Sequence, residues 1–236
     1  MISNDETESE RAFHEFCTSR GIGIRRIAIC DTPQPDFEVE CPSGPVVVEV
    51  KEITANKQDV DFHESLEKHG RASDMRSIGA RVYSAISSAK PQLKAHAHRR
   101  VPRIVLLYDN RLYNDRRCDV YAGSINDVDI DSGMFGQLTF VFSFGEESET
   151  GGGSKHGGKR SIDQKRGRYI SAVAVLYPHS TEVSAHLKIY HNPYASDPLW
   201  PCYFQEAEDE HYLKNVTDGV LVPYWNRYVG PRDYHG

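Results

Sequence analysis

The segment from Asp36 to Ile53 constrains this chain more than any other. Apolar residues recur at every second position, Phe37 and Val39 before the run Cys41-Pro42-Ser43-Gly44-Pro45 and Val46, Val48 and Val50 after it. That alternation predicts two strands, Asp36 to Cys41 and Val46 to Ile53, with the Pro/Ser/Gly run as the turn between them. For both apolar sets to face one core, paired residue numbers must sum to an odd value, because a one-residue slip turns a strand inside out. Two tight turns satisfy this, one pairing Cys41 with Gly44 and the other Pro42 with Pro45. Either places Asp36 on the same face as Glu49 and Lys51, away from that core, directly opposite one or the other with Cβ atoms about 5 Å apart. Two carboxylates that close repel each other, and a hard divalent cation held by oxygens relieves the repulsion. Lys51 projects from the same face, within reach of a substrate phosphate or an attacking water.

The flanking sequence gives this hairpin an α/β setting. Residues 1–8 read as a frayed acidic tail, followed by a helix through about Arg20 that Gly21 ends as a left-handed cap. With Phe13, Phe16 and Cys17 as its apolar stripe, Glu10 falls at the edge of the buried face, whereas Glu8 and Glu15 point away. Glu10 has two readings: a fourth member of the site, or the acid of a capping box in Thr7-Glu8-Ser9-Glu10. A strand from Ile22 to Cys30 precedes the hairpin. Residues 54–77 are polar and without a clear period, a long insertion or lid whose Asp59, Asp61, Glu64 and Glu67 read as solvated charge. A helix from about Ile78 to Arg99, kinked or interrupted at Pro91, leads to a short buried strand from Arg103 to Tyr108.

Further strands at Leu138–Phe144, Tyr169–Tyr177 and His186–His191 read as additions to the same sheet. A flexible, Gly-rich basic loop over 145–168 separates the first two. The reading is therefore one α/β domain over 9–192 around a mixed sheet, followed by an irregular extension over 193–236.

These residues resemble a known family. Pro35-Asp36, then Glu49-Val50-Lys51 on the next strand, preceded by a helix bearing Glu10, is similar to the motif of the PD-(D/E)XK nuclease superfamily. The stretch from Glu10 through Arg26 looks most like the opening of Holliday-junction-resolvase-type members. The resemblance covers roughly residues 8–110. It implies a restriction-endonuclease-like mixed sheet flanked by helices, with extra C-terminal strands, and a Mg2+-dependent nuclease acting on DNA, with Mn2+ an alternative ion. Asp36 and Glu49 would bind the metal, Lys51 would be the motif lysine, Glu10 the helix glutamate and a further metal ligand, and Gln92 the glutamine that borders the site in some branches. A catalytically inactive interaction module and an RNA-directed nuclease are the alternatives.

Net charge is -6, so any nucleic-acid contact has to come from local basic clusters. Two stretches qualify, one with Arg81, Lys94, Arg99 and Arg100, the other with Lys159 and Arg160. The five cysteines form no C-x-x-C pair and read as reduced, mostly packed thiols. No apolar run is long enough to span a membrane and no signal sequence opens the chain, so the expected setting is cytoplasmic, with a homodimer compatible. Gly153 to Lys159 spells G-x-x-x-x-G-K, but Arg160 stands where a phosphate loop needs Ser or Thr. The aromatic residues Trp200, Tyr203, Tyr224 and Trp225 read mainly as packing.

Overall fold

The computed structural model describes residues 6–28, 30–71, 77–111, 125–144, 149–177, 185–206 and 208–230; Cys118, Arg76 and most of the acidic tail lie outside this set. Its centre is an eight-stranded mixed sheet in the order β1-β2-β3-β4-β7-β8-β9-β12. The strands are β1 (Gly23–Arg26), β2 (Phe37–Cys41), β3 (Gly44–Ile53), β4 (Arg103–Asp109), β7 (Ala172–Tyr177), β8 (His186–His191), β9 (Glu210–Leu213) and β12 (Asn226–Arg227). The chain is thus α/β, with helices flanking a large mixed sheet.

Helix α1 (Glu8–Ser19) begins at Thr7, whose side chain accepts from the Glu10 N–H while Glu10 caps the Thr7 N–H. It ends where the Ile22 N–H reaches back to the Cys17 carbonyl and Gly21 takes a φ of 67°. Its Phe13, Phe16 and Cys17 pack with Phe37, Val39, Val46, Val48 and Val50, the set that the alternation assigned to one core. The hairpin register pairs Cys41 with Gly44 and Phe37 with Val48, the first of the two expected turns.

The opposite face of the sheet is covered as well. Val47, Val105, Leu107, Val173 and Val175 form a second core with Val82, Ile86, Ala89 and Leu93 of α3 (Ala80–Ala95). The cause is the parallel crossover: β3 and β4 run parallel, and the connecting helix must pack back on the sheet. Helix α3 continues through Pro91, which faces solvent, and the buried stripe outweighs the one backbone bond that proline removes.

Several expectations need correction. The first strand is shorter than Ile22–Cys30, pairing with β2 only over Gly23–Arg26. The polar segment after β3 holds helix α2 (Lys57–His69), started by a reciprocal pair in which the Asp59 N–H donates to Asn56 and the Asn56 N–H to Asp59. Asp59 is buried and paired with Arg81 at 2.9 Å, so it is not solvated charge. Part of the Gly-rich stretch is strand: β5 (Gln137–Phe144) pairs with β6 (Glu149–Gly157) in a separate two-stranded sheet, so β5 does not extend the main one.

The C-terminal extension, expected to be irregular, supplies β9, β12 and a small hairpin of β10 (Val216–Thr217) and β11 (Val220–Leu221). Asp218 and Gly219 turn that hairpin with φ of 52° and 76°, the left-handed values a two-residue loop needs. Helix α4 (Asp127–Phe135), which no apolar period announced, packs on α3. Cys17, Cys41 and Cys202 are buried and Cys30 is exposed. No described helix is long and apolar enough to cross a membrane.

Candidate active site

Asp36 stands one residue before β2, one step beyond the Phe37–Val48 pair, which sets it across from Glu49. Its Oδ2 accepts the Val50 N–H at 2.8 Å, so the side chain takes a position a strand partner would otherwise fill. Burial raises the Asp36 carboxyl above its usual range, opposed by that N–H, and Glu10 adds to the rise.

Glu49 lies on the α3 side of β3 and is only 2% exposed. Its Oε1 is 2.6 Å from Lys51 Nζ, while Oε2 is buried with no hydrogen-bond partner. Burial first and Asp36 second push its carboxyl up to about 7, with Lys51 and the Asp36 backbone pulling it back. A buried oxygen without a donor costs on the order of 1–3 kcal/mol, more if charged. An oxygen-seeking cation bound by Asp36 and Glu49 would relieve both the unpartnered atom and the repulsion, so these two residues fit a divalent ion.

Glu10 is buried, as its helical phase requires, and Glu8 and Glu15 are exposed. Both readings of it find support in contacts. Its Oε2 accepts the Thr7 N–H at 2.7 Å, which is the capping box, and its Oε1 accepts from Arg26 at 2.9 Å, yet it is close enough to act electrostatically on Asp36. Glu10 comes from the α1 side of the sheet and Glu49 from the α3 side. Among the described residues no group of three or more His, Cys, Asp or Glu is gathered tightly enough to hold an ion.

Lys51 opens into a cleft of about 260 Å³ between β3 and α3, lined also by Glu52, Thr54, Arg81, Ser84 and Ser88. Arg81 donates to the Thr54 carbonyl and pairs with Asp59, so its guanidinium is held at the cleft edge. Gln92 lies one turn beyond Ser88 on α3, its side-chain amide against the Ser88 and Ala89 carbonyls, and it does not line that cleft. No family model, curated protein or solved structure matches the chain.

The basic residues expected to hold nucleic acid divide. Lys94, Arg100 and Lys159 are exposed. Arg99, by contrast, is drawn into an ion pair with buried Glu38, which Arg25 also contacts at 2.7 Å. These two cations hold the Glu38 carboxyl below its usual range despite burial. Arg160 leans on Asp163 at 3.5 Å and lines a second cleft, remote in sequence from the hairpin. Sequence reading missed that cleft and the buried chain of Lys214, Asp131 and His156 behind it. Their positions span 83 residues of sequence, and no local period joins them.

Proposed function

We propose that this protein is a Mg2+-dependent nuclease that hydrolyses phosphodiester bonds of DNA, with the site at Asp36, Glu49 and Lys51. The observation that carries the reading is Glu49: a buried carboxylate facing Asp36, with Lys51 on one oxygen and nothing on the other. Asp36 and Glu49 would hold the ion, which supplies Lewis-acid stabilisation of the phosphate oxygens and a more acidic water. Lys51, at the mouth of the cleft, orients the attacking water or the scissile phosphate through its Nζ. Arg81, fixed by Asp59, offers a second cation on the cleft rim. Glu10 keeps negative charge beside Asp36, and Arg26 sets its orientation. DNA as the substrate class follows from the motif resemblance, and Lys94 and Arg100 on or after α3 are exposed for backbone contact.

A non-catalytic nucleic-acid-binding module is the second reading, favoured by one observation: Arg26 and Thr7 engage both Glu10 oxygens, which leaves two carboxylates for the ion. The deciding experiment incubates the protein with plasmid, linear, single-stranded and branched DNA and with RNA, each with Mg2+, Mn2+ or chelator. The expected result is metal-dependent DNA cleavage that Asp36→Asn abolishes. Cleavage of RNA alone would make it an RNA-directed enzyme, and cleavage of nothing, with binding intact, would favour the module.

A further inference from the structure

A second cleft, of about 670 Å³, lies apart from Lys51, between the β5–β6 hairpin, the segment 160–166 and the β10–β11 hairpin. Its size is that of a small-molecule site, typically about 300–1,000 Å³. One wall is aromatic. Phe135 meets His156 edge-on with ring centres 6.1 Å apart and Tyr194 edge-on at 6.4 Å. The rim is cationic, with Arg160, Lys165 and Arg166 against a single carboxylate, Asp163, which accepts from Arg166 at 2.9 Å. Lys90 of α3 is near enough to Arg166 and Asp163 to feel their charges.

Behind the aromatic wall runs a buried polar chain that packing alone does not require. The Lys214 side chain is fully buried, donates to the Val222 and Pro223 carbonyls at 2.9 and 2.8 Å, and lies 2.7 Å from Asp131 Oδ1. Asp131 Oδ2 is 2.9 Å from His156 Nε2. The Trp225 ring lies 5.2 Å from the ammonium. Burying an ion pair costs several kcal/mol per charge before the attraction is counted, so a hydrophobic trio would serve stability as well. What the chain does achieve is to fix the orientation of the His156 ring through its Nε2 contact with Asp131 Oδ2, which Lys214 holds in turn.

We propose that this cleft is a nucleotide-binding site, taking a planar base against Tyr194, whose ring Phe135 and His156 back from the core, and the phosphate at Lys165 and Arg166. A flat ring stacks on aromatic walls whatever its identity, while the lysine and arginine select an anion. The inference does not depend on the metal site. The same chemistry belongs to a free nucleotide or to one residue of a nucleic-acid strand, and the test separates them.

Calorimetry in EDTA, with Trp fluorescence as a second readout because Trp225 packs 5.9 Å from Phe135, would measure binding of a nucleoside 5′-monophosphate, the nucleoside, ribose 5-phosphate, inorganic phosphate and a ten-residue thymidylate strand. The expected dissociation constant for the monophosphate is on the order of 100 µM, with nucleoside and ribose 5-phosphate each about tenfold or more weaker. Lys165→Glu, at an exposed residue, should weaken it about tenfold or more, and Tyr194→Leu should erase the preference over ribose 5-phosphate. A strand that binds much more tightly than the monophosphate identifies a strand site; equal affinity identifies a free nucleotide. Absence of saturable binding by any base-bearing probe, equal binding of inorganic phosphate, or parental affinity in both variants with parental thermal midpoints would overturn the proposal.

Discussion

Lys51 Nζ lies 2.6 Å from one oxygen of Glu49, and the other oxygen of that carboxylate is buried without a partner. Only one of the two Glu49 oxygens is therefore engaged by Lys51, and what each group contributes can be separated by substitution.

Removing the lysine spares the oxygens that bind an ion, because an ammonium cannot be a ligand. Lys51→Ala should retain Mg2+ binding and most nucleic-acid affinity while turnover falls about a hundredfold or more. Asp36→Ala should lose both metal binding and turnover. Parental cleavage rates in Lys51→Ala, at matched metal and substrate, would remove the E-x-K segment from the mechanism.

The Glu49 carboxyl sets a pH dependence whose sign is opposite to that of an ordinary surface carboxylate. Burial, then Asp36, raises it from 4.5 to about 7, so the folded state keeps a proton that the unfolded chain gives up. This group's contribution to stability is thus fully present below about pH 4.5 and declines as pH rises toward 7. Asp36 is raised too, by burial first, and adds in the same direction. In EDTA, the thermal midpoint of Glu49→Gln should fall less than that of the parent between about pH 5 and 7.5. Saturating Mg2+ should flatten the parental curve in the same way. Parallel curves for parent and variant would refute the assignment.

Glu10 serves two ends of one carboxylate, the Thr7 N–H and Arg26. Glu10→Gln should cost about 1 kcal/mol in chemical denaturation, whereas Glu8→Gln and Glu15→Gln should cost little. Assayed well below its melting temperature, Glu10→Gln should also cleave more slowly than the other two. A stability loss with unchanged cleavage would leave it a capping residue only.

The contact of α3 with α4 depends on glycine. A Cβ on Gly133 would come within 2.5 Å of Val82 Cγ1 and 2.9 Å of the Tyr83 backbone nitrogen, and neither can move far without shifting the helix that lines the Lys51 cleft. Gly133→Ala should therefore lower stability by about 1–3 kcal/mol. Combined with Val82→Ala, it should lose less than the sum of the two single changes, since the truncated valine makes room.

Sequence periodicity carried the fold as far as local signals reach. The α1 stripe, the shared core face of β2 and β3 and the helix that leads to β4 follow from apolar spacing, while the turn sequence left two registers for the hairpin. The β6 strand did not, because Gly151, Gly152 and Gly153 carry no side chain to alternate, and the signal of a strand is its side chains. The Asp218-Gly219 turn was present in the sequence, but the strands it joins are two residues each, too short to show a period. For the site, parity set Asp36 on one face with Glu49 and Lys51 and left open which of the two it opposes, which the Cys41–Gly44 register settles as Glu49; nothing local told that Glu49 would be roofed by α3. The Lys214–Asp131–His156 chain depends on three segments meeting, which no spacing rule encodes.

The sheet described above ends in small strands, four residues in β1 and two in β12. On β1, Arg25 and Arg26 reach across to Glu38 and to Glu10, and on the other border Arg227 reaches Glu210. Short borders carrying charge resist the addition of a further strand, which is how many proteins avoid edge-to-edge aggregation. A second copy of this chain would consequently have to dock through helices and loops, so a homodimer of this protein would consist of two closed sheets and not one continuous one.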